Sequence, residues 1–318
     1  MHIIDPDRLA ERFIEEWQNA DDFITAHTSG STGKPKEIRL FKSDMIRSAE
    51  VTCRFFGIDG GSRLHLPLST DYIAGKMMVV RALCSGAELI VEKPSSKPLA
   101  GHYGPIDLTA VVPSQVPGLL DSAYAKDVRQ VIVGGGQISP SMEKRLAESP
   151  IEAFATYGMT ETCSHVALCR ITGESDRFKA IDGITFSTDS RGCLVIDAPE
   201  FTFKRIITND IVELSDSRCF KWLGRFDNVI NSGGIKLHPE LIESRLSAFI
   251  DVPFYIVGRP STSWGEEAVM YVEASSFDSE WLIKKAHSVL DRYSVPKEVI
   301  CVKEFVRTES GKNKRLLL

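Results

Sequence analysis

A stretch rich in glycine, hydroxyl and lysine side chains, HTSGSTGKPKEIRL at residues 27–40, has the composition of a phosphate-binding loop. Its hydroxyl groups and the backbone N–H groups beside its glycines could donate several hydrogen bonds to a polyphosphate. It is not a Walker A loop, because Gly30 and Gly33 are only three residues apart and a proline follows Lys34. It also lacks the GxGxxG spacing of a dinucleotide-binding fingerprint. A phosphate clamp of another kind and a solvated surface loop both remain open at this point.

Further stretches with nucleotide-site chemistry follow in order along the chain. Residues 134–137, GGGQ, end an apolar run, and glycines there would let a ligand approach the backbone closely. Residues 155–162, ATYGMTET, include the carboxylate of Glu161, which could hold Mg²⁺ while the ion bridges phosphate oxygens. Residues 208–210 are TND, and residues 307–315, RTESGKNKR, form a basic tail. Each stretch alone could be a polar turn or a solvated segment.

Taken in order, these stretches resemble the motifs of the adenylate-forming superfamily, which includes acyl-CoA synthetases, nonribosomal adenylation domains and luciferases. The superfamily pattern (S/T)SG(S/T)TGxPK is matched from Thr28 to Lys36, although Glu37 follows where glycine is usual. The resemblance covers about residues 24–318. It implies a loop that binds the β- and γ-phosphates of ATP, formed by Thr28, Ser29, Gly30, Ser31, Thr32, Gly33, Lys34 and Lys36.

The resemblance implies the rest of the nucleotide site as well. Tyr157 would pack near the adenine, and the turn on the adenine side would consist of Gly135, Gly136 and Gln137. Asp210 would accept hydrogen bonds from both ribose hydroxyls, although Asn209 replaces the glycine of the superfamily's TGD. Arg225 would contact the nucleotide near the ribose.

Three catalytic residues are implied by the same resemblance. Thr160 would touch the α-phosphate, Glu161 would hold Mg²⁺, and Lys312 would place a positive charge between the attacking carboxylate and the α-phosphate. The implied reaction has two halves: a carboxylate and ATP form an acyl-adenylate and pyrophosphate, and a thiol then displaces AMP. ATP, Mg²⁺ and CoA are therefore the expected co-substrates and cofactor.

The elements that must position these residues indicate an α/β fold. Near-continuous apolar strands alternate with helical stretches up to about residue 180, which favours a mostly parallel sheet. Ser43 and Ser139 are candidate helix N-caps, and residues 189–192 are a candidate hairpin turn. Beyond residue 228 the elements shorten into a small α+β unit.

Two domains are predicted, a large one at residues 1–226 and a small mobile one at residues 227–318 that carries the catalytic lysine. The large domain is shortened relative to the superfamily, because only 27 residues precede Thr28. By resemblance, Asp227 is the hinge between the domains, and Gly233 and Gly234 line the tunnel for the CoA arm after the small domain rotates.

Composition narrows the class of protein. The chain has 318 residues and a formal charge of −5, without a long basic block, so a nucleic-acid partner is not expected. No apolar run approaches a membrane span, and no signal peptide is predicted. The seven cysteines are widely spaced, which predicts reduced thiols in a cytoplasmic protein without a zinc site. The sequence predicts no oligomeric state.

The expected substrate is a small carboxylic acid. The shortened N-terminus, the stretch VVPSQVPGLL and the strand VIVGGGQIS most resemble o-succinylbenzoate–CoA ligases of menaquinone biosynthesis. The alternative is another aryl- or acyl-CoA ligase, or an adenylation enzyme that loads a carrier protein. Tyr72 stands where many members have a histidine beside the acyl pocket. Of Lys76 and Arg81 on the following helix, Lys76 is the hypothesised partner of the second carboxylate of o-succinylbenzoate.

Overall fold

The structure, a computed structural model, describes residues 2–27, 37–101, 103–174, 176–307 and 313–317. In chain order the strands are β1 (Ile3–Ile4), β2 (Phe23–His27), β3 (Glu37–Phe41), β4 (Arg63–Leu66), β5 (Glu88–Val91), β6 (Ile106–Val111), β7 (Val128–Val133), β8 (Glu152–Gly158), β9 (His165–Arg170), β10 (Arg177–Ala180), β11 (Thr185–Thr188), β12 (Cys193–Ala198), β13 (Lys204–Asp216), β14 (Cys219–Arg225), β15 (Ile230–Ser232), β16 (Ile235–Leu237), β17 (Phe254–Ser261), β18 (Gly265–Glu273) and β19 (Glu298–Val302). The helices are α1 (Glu11–Gln18), α2 (Lys42–Phe56), α3 (Ile73–Ser85), α4 (Val116–Leu120), α5 (Pro140–Ala147), α6 (Pro239–Leu246) and α7 (Ser279–Val289).

A twelve-stranded sheet dominates the chain, with the order β1-β5-β4-β6-β7-β8-β9-β10-β14-β13-β12-β11. The neighbours from β1 to β8 are parallel, because helices α3, α4 and α5 return the chain between successive strands. These strands are mostly buried, as their near-continuous apolar sequence predicts. The N-cap at Ser139 is confirmed, because its side chain accepts a hydrogen bond from the N–H of Met142.

The second half of this sheet is antiparallel, from β8 through β11. A short turn joins β8 to β9, and such a connection permits only antiparallel neighbours. The expected mostly parallel sheet is therefore correct for the first half only. The hairpin turn at residues 189–192 is confirmed, because the N–H of Gly192 donates to the carbonyl of Asp189 at 3.0 Å. The N-cap at Ser43 is wrong: α2 already begins at Lys42, and Phe41 occupies the cap position without a side-chain hydrogen bond.

Two smaller sheets complete the described residues. β2 and β3 form an antiparallel pair in which His27 lies opposite Glu37, so residues 28–36 connect the two strands of this pair. β15 to β19 form a five-stranded sheet, on which α6 and α7 share an apolar core with Ile256 and Met270. The fold class is confirmed as α/β with a small α+β unit at its C-terminal end.

Among the described residues, the twelve-stranded and five-stranded sheets share no strand. The last strand of the first along the chain, β14, ends at Arg225, and the second begins with β15 at Ile230. The predicted domain boundary at residues 226–227 lies in this interval, and independent motion of the two parts stays a prediction. No helix within the described ranges is long and apolar enough to cross a membrane.

Candidate active site

The predicted adenine-side turn lies where β7 ends, beside the end of β8. Gly135 has a φ of 78°, and Gly135, Gly136 and Gln137 are exposed. Gly134 has no room for a side chain, because a Cβ there would lie 2.4 Å from Oγ1 of Thr156 on β8. Open α/β sheets bind ligands at the carboxyl ends of parallel strands, and β8 is the last parallel strand before the direction reverses. The turn therefore offers exposed backbone at the expected edge of the sheet.

Thr160 and Glu161 lie in a single turn of 3-10 helix, Thr160–Thr162, directly after β8. Oγ1 of Thr162 accepts a hydrogen bond from the N–H of Met159 at 3.0 Å and donates one to the carbonyl of Ser164 at 2.6 Å, which closes the turn. Glu161 is exposed and Thr160 is half-buried. The turn thus presents one hydroxyl and one carboxylate beside the glycine turn.

Glu161 fits a magnesium ion that arrives with its substrate. Across the ranges that the structure describes, no three histidine, cysteine, aspartate or glutamate side chains form a group that could hold a metal ion. Proteins usually hold Mg²⁺ through one or two carboxylates, with substrate phosphate oxygens and water completing the octahedron. A single exposed carboxylate at the end of β8 matches that arrangement.

Cys163 follows this turn with a φ of 62°, an uncommon backbone conformation for a residue other than glycine. Its side chain is buried. Burial, helped by the negative charge of Asp44, raises the pKa of the Cys163 thiol to about 12. The side chain is therefore a neutral thiol at physiological pH.

Asp210 on β13 is the centre of a hydrogen-bonded group beside β8. The residue is only 7% exposed. The hydroxyl of Tyr157 donates to Oδ2 of Asp210 at 2.7 Å, and Nε1–H of Trp222 donates to Oδ1 at 3.2 Å. Burial and the charge of Asp210 raise the pKa of Tyr157 well above its usual value, so the phenol keeps its proton. Two carboxylate lone-pair positions remain for ribose hydroxyls, because an ionised carboxylate accepts about four hydrogen bonds.

Trp222 is the member of this group that the sequence motifs missed. It lies between the motif stretches TND and GRFD, in the middle of β14. The only signal in the sequence is its position two residues after Phe220, on the same face of a strand of alternating residues.

Asp227, the predicted hinge residue, is hydrogen-bonded to residues of β13 and β14. Asp210 and Arg225 are directly opposite on these strands, and NH1 of Arg225 lies 3.7 Å from Oδ1 of Asp210. Arg225 also reaches Oδ2 of Asp227 at 3.4 Å. Nδ2 of Asn209, the residue that departs from the TGD motif, donates to the same oxygen of Asp227 at 3.2 Å. The departure from the motif therefore adds a contact between the predicted ribose-binding segment and the predicted hinge.

Gly233 and Gly234 form the turn between β15 and β16, with φ values of 57° and 81°. A Cβ on Gly233 would lie 2.7 Å from the ring of Trp264, whereas Gly234 faces open space. Both are exposed, as a passage along the backbone would require. Their role in a CoA tunnel stays a prediction.

The predicted acyl-pocket residues have contrasting surroundings. Tyr72 is exposed just before α3. Lys76 is buried, and its ammonium lies 3.0 Å from Oε2 of Glu16 and 4.4 Å from the centre of the Phe13 ring. The charge of Lys76 is thus already balanced by α1, although its proposed contact with substrate is not tested by this arrangement.

Arg81, one helical turn and a half further along α3, has no such counterion among the described residues. It is 2% exposed, and no carboxylate of the described residues lies within ion-pair distance of its guanidinium. NH2 donates to Oγ of Ser164 at 2.6 Å, NH1 approaches the sulfur of Met78, and Nε is buried without a hydrogen-bond partner. Burial lowers the pKa of Arg81 to about 10, so it stays charged at neutral pH. Ser164 belongs to the segment that follows Thr160–Thr162, so the cation lies next to the predicted nucleotide site.

Two predicted groups lie outside the described residues. They are the phosphate loop at residues 28–36 and the segment 308–312, which contains Lys312. The flanks are described: β2 and β3 border the loop, and Arg307 pairs with Asn313 across the second segment.

A family model described as "AMP-binding enzyme" matches residues 5–195, more than half of the chain. The chain belongs to the AMP-binding enzyme family. The resemblance to adenylate-forming enzymes is thereby confirmed, as is the expectation of an AMP-forming ligase.

Relatives of this AMP-binding enzyme include named ligases. The 2-succinylbenzoate–CoA ligase of Listeria monocytogenes is 23% identical over 98% of this chain and 73% of its own length. The enzyme of the same name from Bacillus mycoides is 26% identical over 95% of this chain and 71% of its own.

Solved structures give the same picture of the fold. An acyl-CoA synthetase (AMP-forming)/AMP-acid ligase II-like protein from Dyadobacter fermentans is 31% identical, with a TM-score of 0.65 over 98% of this chain and 93% of that one. The o-succinylbenzoate CoA synthetase of Bacillus subtilis, in complex with its acyl-adenylate intermediate, is 20% identical, with a TM-score of 0.82 over 92% of this chain and 67% of that one. At that identity the second likeness concerns the fold alone.

Proposed function

We propose that this AMP-binding enzyme is an o-succinylbenzoate–CoA ligase. A carboxylate oxygen of the acid attacks the α-phosphorus of ATP, and the bond to pyrophosphate breaks. The sulfur of CoA then attacks the acyl carbon, and the bond from that carbon to AMP breaks. The names of the Listeria and Bacillus relatives support this reaction.

The observation that carries the choice of acid is the buried cation of Arg81, which has no carboxylate within ion-pair distance among the described residues. A charged group held away from water without a counterion is costly, so buried arginines are normally paired with carboxylates. O-succinylbenzoate carries two carboxylates, and only one of them is activated. The second carboxylate would supply the missing counterion of Arg81, with Ser164 as a neighbouring hydroxyl. We therefore prefer Arg81 to Lys76, whose charge Glu16 already balances.

In this proposal the remaining site residues each bind a different part of the nucleotide. Asp210 accepts hydrogen bonds from the ribose, and Tyr157 and Trp222 hold its carboxylate in place. Residues 28–36 bind the departing pyrophosphate, and Thr160 and Lys312 act at the α-phosphate. Mg²⁺, held by Glu161, would neutralise charge on the phosphate oxygens when bound. The part at residues 227–318 would rotate at Asp227 to admit CoA past Gly233 and Gly234.

Pyrophosphate release from ATP tests the reaction. We expect release to be fastest with o-succinylbenzoate, compared with benzoate, fatty acids and amino acids, and we expect a CoA thioester to accumulate when CoA is present. A higher kcat/KM for benzoate or for an amino acid would contradict the choice of acid. Thioester formation on a carrier protein but not on CoA would favour the adenylation-enzyme alternative.

The cation is tested with Arg81→Met, Arg81→Lys and Lys76→Met. Loss of a charge-assisted hydrogen-bonded pair costs enough to weaken binding about 10- to 100-fold. Arg81→Met should therefore raise the KM for o-succinylbenzoate by that factor, leave the KM for benzoate within about 3-fold, and be partly rescued in Arg81→Lys. If instead Lys76→Met produces the selective effect, the first hypothesis about Lys76 is right and this one is wrong.

A further inference from the structure

The C-terminal tail is fastened to the small sheet on both sides of the segment 308–312. The backbone of Arg307 pairs with that of Asn313, and the N–H of Lys314 donates to the carbonyl of Val306 at 2.8 Å. The flanks of this segment therefore lie side by side. The incoming flank is anchored at Glu273, whose carboxylate accepts hydrogen bonds from the N–H of Phe305 and from Arg307.

The flank that follows the segment 308–312 is anchored by Arg315, which is hydrogen-bonded to α6. Its guanidinium donates two hydrogen bonds to the two carboxylate oxygens of Glu243, one of them at 2.6 Å, and NH1 also donates to the carbonyl of Ile256 at 3.0 Å. The N–H of Ile256 donates to the same carboxylate at 2.6 Å. The next residue is also held, because the hydroxyl of Tyr255 donates to the carbonyl of Leu316 at 3.0 Å. A bidentate pair of this kind fixes direction as well as distance.

A second carboxylate on α6, that of Glu240, contacts both Arg315 and the residue next to the predicted hinge. Glu240, one turn before Glu243 on α6, is buried and lies 3.7 Å from NH2 of Arg315. The same carboxylate accepts a hydrogen bond from Nδ2 of Asn228, the neighbour of Asp227. One acidic face of α6 thus holds the tail and the residue next to the hinge together.

We propose that Arg315 is a positioning residue for the adenylation half-reaction, because Glu243 and Glu240 hold the chain three residues after Lys312, the lysine that the sequence predicts to act in that step. This inference rests on the proposed function. Three residues of extended chain span at most about 10 Å, so Arg315 is close enough along the chain for its anchoring to affect the predicted catalytic lysine. Arg315 itself touches no reacting atom in this assignment.

The two half-reactions are measured separately in Arg315→Gln, Arg315→Lys and Glu243→Gln. Adenylation is followed as pyrophosphate release in single turnovers, and thioester formation as CoA transfer from supplied acyl-adenylate. We expect Arg315→Gln to lower the adenylation rate about 30-fold with little change in the KM for ATP, and to leave CoA transfer within about 2-fold. Arg315→Lys keeps the charge but not the fork, so it should recover part of the rate. Lys312→Ala is the reference for loss of adenylation alone.

Arg259→Gln is the matched control. Arg259 lies on the same sheet and also pairs with two glutamates, Glu267 and Glu298, at 2.7 Å and 2.6 Å. None of its hydrogen bonds within the described residues reaches the tail. Arg259→Gln should leave the rates of both half-reactions within about 2-fold of the parent protein. It removes a comparable ion pair but leaves the anchor of the tail intact.

Hydrogen exchange measures the anchor independently of any substrate. The amides of residues 313–317 should exchange at least about 10-fold faster in Arg315→Gln than in the parent protein and in Arg259→Gln. If the exchange rates of residues 313–317 are the same in Arg315→Gln and in the parent protein, the inference is wrong. If instead the parent protein activates no acid, only the proposed function is refuted, because the exchange measurement needs no substrate. Equal loss of both half-reactions in Arg315→Gln, with a lowered melting temperature, would also overturn it, because that is the result of a purely structural role.

Discussion

The substitution Arg81→Met distinguishes a cation kept for substrate from one that supports the fold. Two contributions to the free energy of unfolding oppose each other. Burial lowers the pKa of Arg81 from 12.5 to about 10, so holding the charge inside costs about 3 kcal/mol. The hydrogen bond to Ser164, at 2.6 Å from a charged donor, returns about 1.5–3 kcal/mol. Methionine has a similar length and no charge, so the free energy of unfolding of the ligand-free protein should change by less than about 1.5 kcal/mol.

Urea denaturation followed by tryptophan fluorescence measures this change. Added o-succinylbenzoate with AMP should raise the denaturation midpoint of the parent protein and raise that of Arg81→Met much less, because a ligand stabilises only as far as it binds the folded state. Loss of more than about 3 kcal/mol in the ligand-free variant would show that the guanidinium is structural. Equal stabilisation of both proteins by the ligand would also refute the reasoning.

Two further predictions concern single groups of the described structure. Tyr157→Phe removes the hydrogen bond to Asp210, so we expect the dissociation constant of AMP, measured by calorimetry, to rise about 10-fold. The raised pKa of Tyr157 also predicts that an alkaline absorbance titration of the variant lacks one phenol that resists ionisation in the parent protein. No change in affinity for AMP would show that Asp210 needs no such support. Burial opposes ionisation of Glu92, but hydrogen bonds from His65 and two backbone N–H groups leave its pKa below the usual value. The stability that it contributes is therefore present above pH ~4.5 and is lost as pH falls through the lowered pKa. Glu92→Gln should lower the melting temperature at pH 7 and flatten its fall between about pH 5 and pH 3, and an unchanged slope would contradict the assignment.

The parts of the fold that depend on local sequence could be predicted, and the parts that depend on distant partners could not. Ser139 is followed at once by a proline that starts a helix, so its cap is readable from neighbouring residues. Ser43 has the same side chain, but the chain enters α2 from the strand β3, and the helix begins one residue before it. The antiparallel half of the large sheet depends on strand order, which periodicity does not encode.

In the candidate site, too, the sequence does not show which distant residues pair with one another. Lys76 and Arg81 are both cations on one helix, and their spacing alone does not distinguish them. The difference is that Glu16, sixty positions upstream, meets Lys76, whereas no acidic side chain of the described residues meets Arg81. Such pairings are made by the tertiary fold. The motif residues Tyr157 and Asp210, by contrast, were found from resemblance and lie 2.7 Å apart through their hydrogen bond.

The raised pKa of Cys163 bears on how an enzyme survives its own intermediate. A mixed anhydride reacts with any thiolate that it meets, and this cysteine directly follows the turn that carries Thr160 and Glu161. With a pKa of about 12, only on the order of 10⁻⁵ of this thiol is ionised at neutral pH. The proposed intermediate would therefore meet an un-ionised, unreactive thiol at this position, and acylation of Cys163 would be suppressed by its burial and by the charge of Asp44.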